Sequence, residues 1–370
     1  MSVKVSVAMI TYNHERFVAQ AIESALEQEV DFEYEIVIGE DRSTDNTREI
    51  VFEFQRRRPD RIRLLLRENN LGMIQNFVQT LQACCGEYVA ILESDDFWTS
   101  SLKLQKQVEF LDSHPECAIC FHNVTMMYED GSEEPYCSQN QKTISTLKDL
   151  LLSNFIPNCS VMFRRGLFGE FPAWYYSMGM GDRPLHILNA QHGAIGYIDE
   201  VLGTYRVHSG GVWSAQSHDR GLREEFHMYE AVNAHLGFKY DHIVAIAKRE
   251  SVCYFLVERG KTASSIEEGT ALAFQTCEQW QADLGIPKDW KAKAMGRVYA
   301  YYLFSSYKDC DFPAVRHCFF RLARYDPSWL CNPGVWSIGV EAFLGRRVAD
   351  LLRRSARKVL RLSASQVSIQ

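Results

Sequence analysis

The chain has 370 residues, enough for two domains, and its 46% apolar and 24% charged content is ordinary globular usage that excludes global disorder. A formal net charge of −7 and a pI near 5.9 argue against a nucleic-acid binder, which carries a basic bias. Eleven cysteines, scattered and odd in number, suit a reducing cytoplasm better than a disulfide framework.

The opening ten residues hold one Lys and a short apolar run without a small-residue cleavage site, so they read as a strand and not as a leader. No stretch of roughly 20 apolar residues is present to span a bilayer. Over the first 125 residues, short apolar runs alternate with helix-period segments, the pattern of a βαβ sheet. Strands are predicted at 3–10, 35–39, 62–66, 88–92 and 118–127. The first helix between them buries Phe17, Val18, Ala21, Ile22, Ala25 and Leu26. The second runs through Ile50, Val51 and Phe54 behind the cap residues 43–46, and the third carries Leu71, Ile74, Phe77, Val78 and Leu81. A fourth helix covers 104–111. Cys117 and Cys120 have the spacing of half a zinc or redox site, but they stand in an apolar run without a second pair and read as buried strand cysteines.

Residues 130–145 are polar and read as a surface loop joining two halves of one domain. Short strands follow at 160–163, 196–198 and 203–207. From about Arg220 the strand signals stop, and helices are predicted at 222–236, 243–259, 266–284, 291–307 and 313–325. Residues 300–327 resemble a tetratricopeptide-type hairpin through Tyr301, Ala314, Ala323 and Asp326-Pro327, yet one weak unit falls short of a repeat array.

Ligands of open parallel sheets gather at the carboxyl ends of the strands. Glu93, Ser94, Asp95 and Asp96 stand directly after the strand 88–92. Carboxylates this close repel unless a cation neutralises them, and oxygen ligands favour a hard ion that shares a phosphate-bearing substrate. The plain alternative is an acidic turn capping the next helix. Thr11, Tyr12 and Asn13 end the first strand, and Glu40 and Asp41 the second. They offer an aromatic face for a base and carboxylates for a base N–H or ribose hydroxyls. Neither Gly-x-Gly-x-x-Gly nor a Walker loop follows the first strand, which disfavours a dinucleotide or P-loop fold.

As a set, the segments 6–13, 40–47, Asn70-Leu71-Gly72, 86–98, Gly181-Asp182-Arg183-Pro184-Leu185 and Tyr205-Arg206-Val207-His208-Ser209 resemble the family 2 glycosyltransferases of the GT-A fold. The resemblance spans about residues 1–215. It implies an α/β nucleotide-diphospho-sugar transferase domain there, with a mostly parallel sheet and helices on both faces. The all-α region at 216–362, tetratricopeptide-like near 291–327, lies outside it, and a disordered tail is expected at 363–370. Carried onto this sequence, Thr11, Tyr12, Asn13, Glu40, Asp41 and Asn70 would hold the nucleotide, together with Glu93, Ser94 and Asp95. Asp95, Asp96 and His208 would hold Mn2+ or Mg2+, and Asp182 would be the catalytic base. Arg206, Ser209 and Trp213 would form a loop closing on the donor. Glu93 stands where the family commonly has Asp, so its carboxylate reaches one methylene further, toward sugar or ribose. Arg183 replaces a frequent aromatic at the acceptor side.

The implied reaction is inverting transfer of a sugar from a nucleotide sugar, UDP being the default, to a hydroxyl of a glycan or lipid-linked glycan, as in surface polysaccharide assembly. Two readings compete with it. A nucleotidyltransferase needs a Gly-rich basic loop after the first strand, and Asn13-His14-Glu15 supplies none. A catalytically silent nucleotide-sugar-binding scaffold is opposed by the intact carboxylate set and Asp182. Blander roles stand beside the catalytic ones: Asp182 as an N-cap ahead of Pro184, His208 as a solvated loop residue, Tyr12 as a packing residue.

The C-terminus departs from the acidic average. Arg346, Arg347, Arg353, Arg354, Arg357, Lys358 and Arg361 interleave with Val348, Leu351, Leu352, Val359 and Leu360. A helix over 346–361 with this pattern suits peripheral contact with an anionic membrane, which would place a cytoplasmic enzyme at the inner membrane face. A solvated face on a helix packed against its own domain is the alternative.

Overall fold

The computed structural model describes residues 2–136, 141–211 and 217–349. Trp213, the stretch 350–361 and the tail 363–370 lie outside the described residues. By internal contacts the chain divides in two: one unit reaches residue 216 and includes Phe226–Ala247, and the other takes Ser217–Glu225 with the helices from Lys248 onward.

The first unit starts as β1 (Val5–Thr11), α1 (Val18–Leu26), β2 (Tyr34–Glu40), α2 (Thr47–Arg57), β3 (Ile62–Leu66), α3 (Met73–Ala83) and β4 (Tyr88–Ile91). It continues with β5 (Phe97–Trp98), α4 (Lys103–Ser113), β6 (Cys117–Tyr128), β7 (Glu133–Pro135), β8 (Ile144–Ser145), α5 (Leu147–Leu152), β9 (Met162–Arg164), α6 (Asp182–Ala190) and β10 (Ala194–Val207). One sheet runs β3-β2-β1-β4-β9-β6-β10-β5, with β7 on β6 and β8 on β10. The half from β3 to β4 is parallel throughout. Beyond it the sheet is mixed, since β9 runs antiparallel to both β4 and β6 while β6 and β10 are parallel.

Side-chain alternation explains the layers. Val5, Val7 and Met9 of β1, with Ile36 and Ile38 of β2, pack against Val18, Ala21 and Ile22 of α1. Their neighbours Ala8 and Val37 join Phe77 and Val78 of α3 on the other face, where Leu150, Leu185 and Leu188 also bury. Cys117 and Cys120 are buried free thiols in β6. The stretch expected as a loop at 130–145 contributes β7 and β8. The two strands expected at 196–198 and 203–207 are one, β10, because the polar residues Asp199 and Glu200 fall in a β-bulge between Ile198 and Val201.

Lys103 is fully buried at the start of α4, its Nζ 3.9 Å from the centre of the Trp98 ring and without a hydrogen-bond partner. Burial pulls its pKa down from 10.5 to about 7. Between these values the unfolded chain holds a proton that the folded one has lost, so stability rises with pH from about 7 to 10.5. Lys103→Met is expected to add about 1–3 kcal/mol near neutral pH and to flatten that slope, read from urea unfolding at several pH values.

The second unit is helical. The element α7 (His218–His235) contributes its first turns to it and its remainder to the first unit. Then come α8 (Asp241–Lys261), whose residues up to Ala247 belong to the first unit, α9 (Ile266–Leu284), α10 (Lys288–Lys308), α11 (Phe312–Tyr325) and α12 (Pro333–Leu344). Their ends carry cap chemistry. Ser265, Asp311 and Asn332 accept backbone N–H groups at N-termini, and Gly285 closes α9 at a φ of 64°.

Candidate active site

Three adjacent parallel strands, β2, β1 and β4, end on the same edge of the sheet and deliver the polar segments 40–41, 11–14 and 93–96. Beyond β1 the chain turns through Asn13, whose φ of 57° is left-handed, and the His14 carbonyl receives the Phe17 and Val18 N–H groups that start α1. Beyond β4 a tight turn closes with the Asp96 N–H on the Glu93 carbonyl, 3.1 Å.

Asp95, His208, Ser94 and His14 meet there. Asp95 Oδ2 lies 3.2 Å from His208 Nε2, and His14 Nδ1 lies 2.5 Å from Ser94 Oγ. Burial works to raise the Asp95 pKa, but the His208 hydrogen bond and the nearby His14 outweigh it and hold the carboxyl below the usual range. His208 is itself almost buried and its ring lies 4.9 Å from that of Phe17. His14 was not singled out from sequence. Its only signal was its place one residue past the strand-end segment Thr11-Tyr12-Asn13.

Glu93 receives a hydrogen bond from Asn158 Nδ2 on one oxygen, while its Oε2 is buried and unpartnered. Burial, then the charges of Asp95 and Asp182, push its pKa up to about 8. Asp182 opens α6, where the Tyr175 hydroxyl fixes the preceding turn by donating to the Gly181 carbonyl at 2.6 Å. Asp182 lies within electrostatic reach of Glu93, whose pKa its charge helps to raise. It stands in the first turn of α6, yet Gly181 is the N-cap and no side-chain cap bond forms.

Several expected site residues turn out to hold the scaffold. Glu40 is fully buried, with one oxygen on the Ser43 N–H at 2.6 Å and the other paired with Arg48, so it offers no carboxylate to a nucleotide. Asp96 is likewise turned inward. Its Oδ1 accepts the Arg206 N–H at 2.8 Å and it bonds the Cys159 thiol, and burial plus the charges of Asp95 and Glu93 push its pKa far up. Arg206 sits in β10 and not in a loop. It donates to the Asp95 carbonyl at 2.5 Å, reaches Gln20, and lies over Phe97 and Phe17, which clamps the carboxylate turn. Arg183 points into the core, bonding the Leu150 and Leu151 carbonyls and the Tyr229 hydroxyl.

Asp41 accepts the N–H groups of Leu71 at 2.7 Å and Gly72 at 2.9 Å, and Asn70 donates to its carbonyl. These bonds hold the 70–72 loop against the carboxyl end of β2. Asn13 receives Thr44 N–H and hydroxyl bonds and pins the 43–46 segment. Thr11 is buried with an unpartnered Oγ1, whereas Tyr12 is exposed beside it. Ser209 donates to Glu129.

A divalent ion fits the remaining donor set. Two cis ligands of an octahedral ion at 2.0–2.1 Å stand about 3 Å apart, and the Asp95 and His208 atoms stand 3.2 Å apart. Among the described residues no group of three or more His, Cys, Asp or Glu is arranged to hold a metal alone. An ion shared with a diphosphate needs only one or two protein ligands.

Residues 6–170 match the family model described as Glycosyl transferase family 2. The uncharacterized protein Rv1520 of Mycobacterium tuberculosis is 38% identical over 225 residues, which are 58% of this chain and 62% of the relative. The chain thus spans less than two thirds of that relative's length. Among solved structures, residues 1–349 of TarS from S. aureus in complex with UDP-GlcNAc align with a TM-score of 0.54 at 19% identity, over 93% of each chain. The mannosyltransferase PcManGT from Pyrobaculum calidifontis, in complex with GDP-Man and Mn2+, aligns at 0.50 and 18% over 81% of this chain and 86% of that one. At these identities the likeness establishes a common fold.

Proposed function

Because residues 6–170 belong to glycosyl transferase family 2, we propose that this chain is an inverting, metal-dependent glycosyltransferase. It moves a sugar from a nucleotide sugar, a UDP-sugar in first place, to a hydroxyl of a glycan or lipid-linked glycan in surface polysaccharide assembly. The observation that carries the reading is Asp95 hydrogen-bonded to His208 in the turn that also holds Glu93, with Asp182 within electrostatic reach of Glu93. UDP-GlcNAc in TarS and GDP-Man with Mn2+ in PcManGT support the donor class and the ion. The transferase domain is taken as residues 1–215 and the helical region as 216–362.

Tyr12 offers its exposed ring to the base, Thr11 its free Oγ1, and Asp41 shapes the nucleoside end through the 70–72 loop. Asp95 and His208 would hold Mn2+ or Mg2+, which when bound neutralises charge on the leaving nucleoside diphosphate. The unpartnered Glu93 Oε2 accepts or donates to a sugar hydroxyl, as its proton allows. Asp182 takes the proton of the acceptor hydroxyl as that oxygen bonds the anomeric carbon and the bond to the diphosphate breaks. Attack from the opposite face inverts the anomeric centre.

A thermal-shift panel of nucleotide sugars with and without Mn2+ tests the donor. A ligand at about 100 times its Kd adds about 2.7 kcal/mol, so the correct donor raises the melting temperature and Mn2+ enlarges the rise. A flat panel removes the reading. The proposed location is the cytoplasm, with peripheral contact at the inner membrane face through residues 346–361. No helix among the described residues is long and apolar enough to cross a membrane.

A further inference from the structure

Helices α11 and α12 expose large apolar side chains that a water-facing surface has no use for. Phe320 is 64% exposed, Trp336 52%, Phe343 42% and Leu344 60%. They form one patch. The Phe319 ring centre lies 6.4 Å from those of Phe320 and Trp336 and 5.8 Å from that of Phe343, which is 5.3 Å from Phe320. The patch is preformed. Gly339 lets the Phe319 ring lie against α12, because a Cβ there would stand 2.6 Å from it, and Asn332 and Pro333 fix the start of α12. Contiguous exposed apolar surface of this kind marks an interaction site.

Charge identifies the partner. Between residues 312 and 349 the acids are Asp326 and Glu341, both buried and bonded, to Lys293 and to the Tyr307 hydroxyl. The basic residues there are Arg316, Arg321, Arg324, Arg346 and Arg347. Five more follow at Arg353, Arg354, Arg357, Lys358 and Arg361, in a chain whose net charge is −7. Exposed Trp and Phe on helices rich in Arg, with Asp311 at the N-cap of α11 and Asp350 as the nearest acids outside the stretch, is the chemistry of a bilayer interface carrying anionic headgroups.

We propose that the α11–α12 aromatic face, centred on Phe320, Trp336 and Phe343, inserts into the headgroup region of an anionic lipid membrane and anchors the chain there. This deepens the peripheral contact proposed above. The anchor is then a rigid aromatic wedge, with the basic segment supplying long-range attraction.

The full chain is tested by sedimentation with vesicles of phosphatidylglycerol and phosphatidylcholine, and of phosphatidylcholine alone. It sediments with the first and not the second, less so as salt rises. Trp336→Ser and Phe343→Ser, both at exposed positions, lower the bound fraction at least about tenfold at unchanged melting temperature. Full binding by both variants, with loss only on removing residues 350–370, overturns the aromatic face and leaves the basic tail. Failure of the wild type to bind, with a dimer that Trp336→Ser dissolves, overturns it in favour of a second copy. Transfer to a soluble acceptor, measured in parallel, separates this proposal from the enzymatic one: vesicle binding without transfer sinks only the latter.

Discussion

Replacing Asp182 by Asn is expected to lower sugar transfer about 10²–10⁴-fold and to leave donor binding nearly intact. The change is isosteric and its scaffold is independent of the carboxylate. The turn before α6 is fixed by Tyr175 on the Gly181 carbonyl, and the next residue, Arg183, is locked into the core by Tyr229. Asn cannot accept the acceptor's proton, so the loss falls on kcat while the donor-induced thermal shift stays. A second readout follows from charge. Asp182 helps hold the Glu93 pKa up near 8, so the variant should let Glu93 ionise at lower pH. Glu93→Gln is the necessary control, since that carboxyl is electrostatically linked to Asp182 and has an unpartnered buried oxygen. Glu93→Gln should weaken donor or sugar recognition, and Asp182→Asn should not. Turnover at the wild-type rate in Asp182→Asn would remove it from the base role.

Strand ends were legible because an apolar run that stops abruptly in Glu, Asp, Thr or Asn has few readings. The parallel half of the sheet, its helices and the gathering of polar groups at one edge all follow from that pattern. What each polar group does there was not legible. Glu40 and Asp41 are adjacent carboxylates at one strand end, yet the partner of the first lies eight residues on, at Arg48, and those of the second thirty and thirty-one on, at Leu71 and Gly72. A ligand-binding acid and a loop-holding acid look alike until those partners are placed. The same holds for Asp95 and Asp96, which take different partners, one His208 and the other Cys159 and the Arg206 N–H. Arg206 falls in the stretch 203–207 that reads as a strand, and only the family resemblance assigned it to a donor loop; the bulge at Asp199 and Glu200 hid that 196–198 and 203–207 are one strand.

That difference between neighbours yields the second large effect. Asp95→Ala removes one of the two atoms that stand a cis-ligand distance apart, and with it the ion's hold. If the ion contributes roughly 4 kcal/mol of charge stabilisation, transfer falls about 10³-fold. The Mn2+-dependent part of the donor's thermal shift disappears as well. The fold should survive, because Arg206 binds the Asp95 backbone carbonyl, which alanine keeps. Asp96→Ala should do the reverse. It strips the Arg206 N–H and the Cys159 thiol of a buried partner, costing about 1–3 kcal/mol of stability, and leaves the Mn2+ response in the protein that remains folded. His208→Ala belongs with Asp95→Ala, and the double variant should cost little more than either alone, since both act through one ion. Full activity in the presence of a chelator, or an Asp95→Ala protein that still answers to Mn2+, would break the link between this pair and a metal. An Asp96→Ala protein of normal stability that has lost the Mn2+ response would reassign the ligand to Asp96.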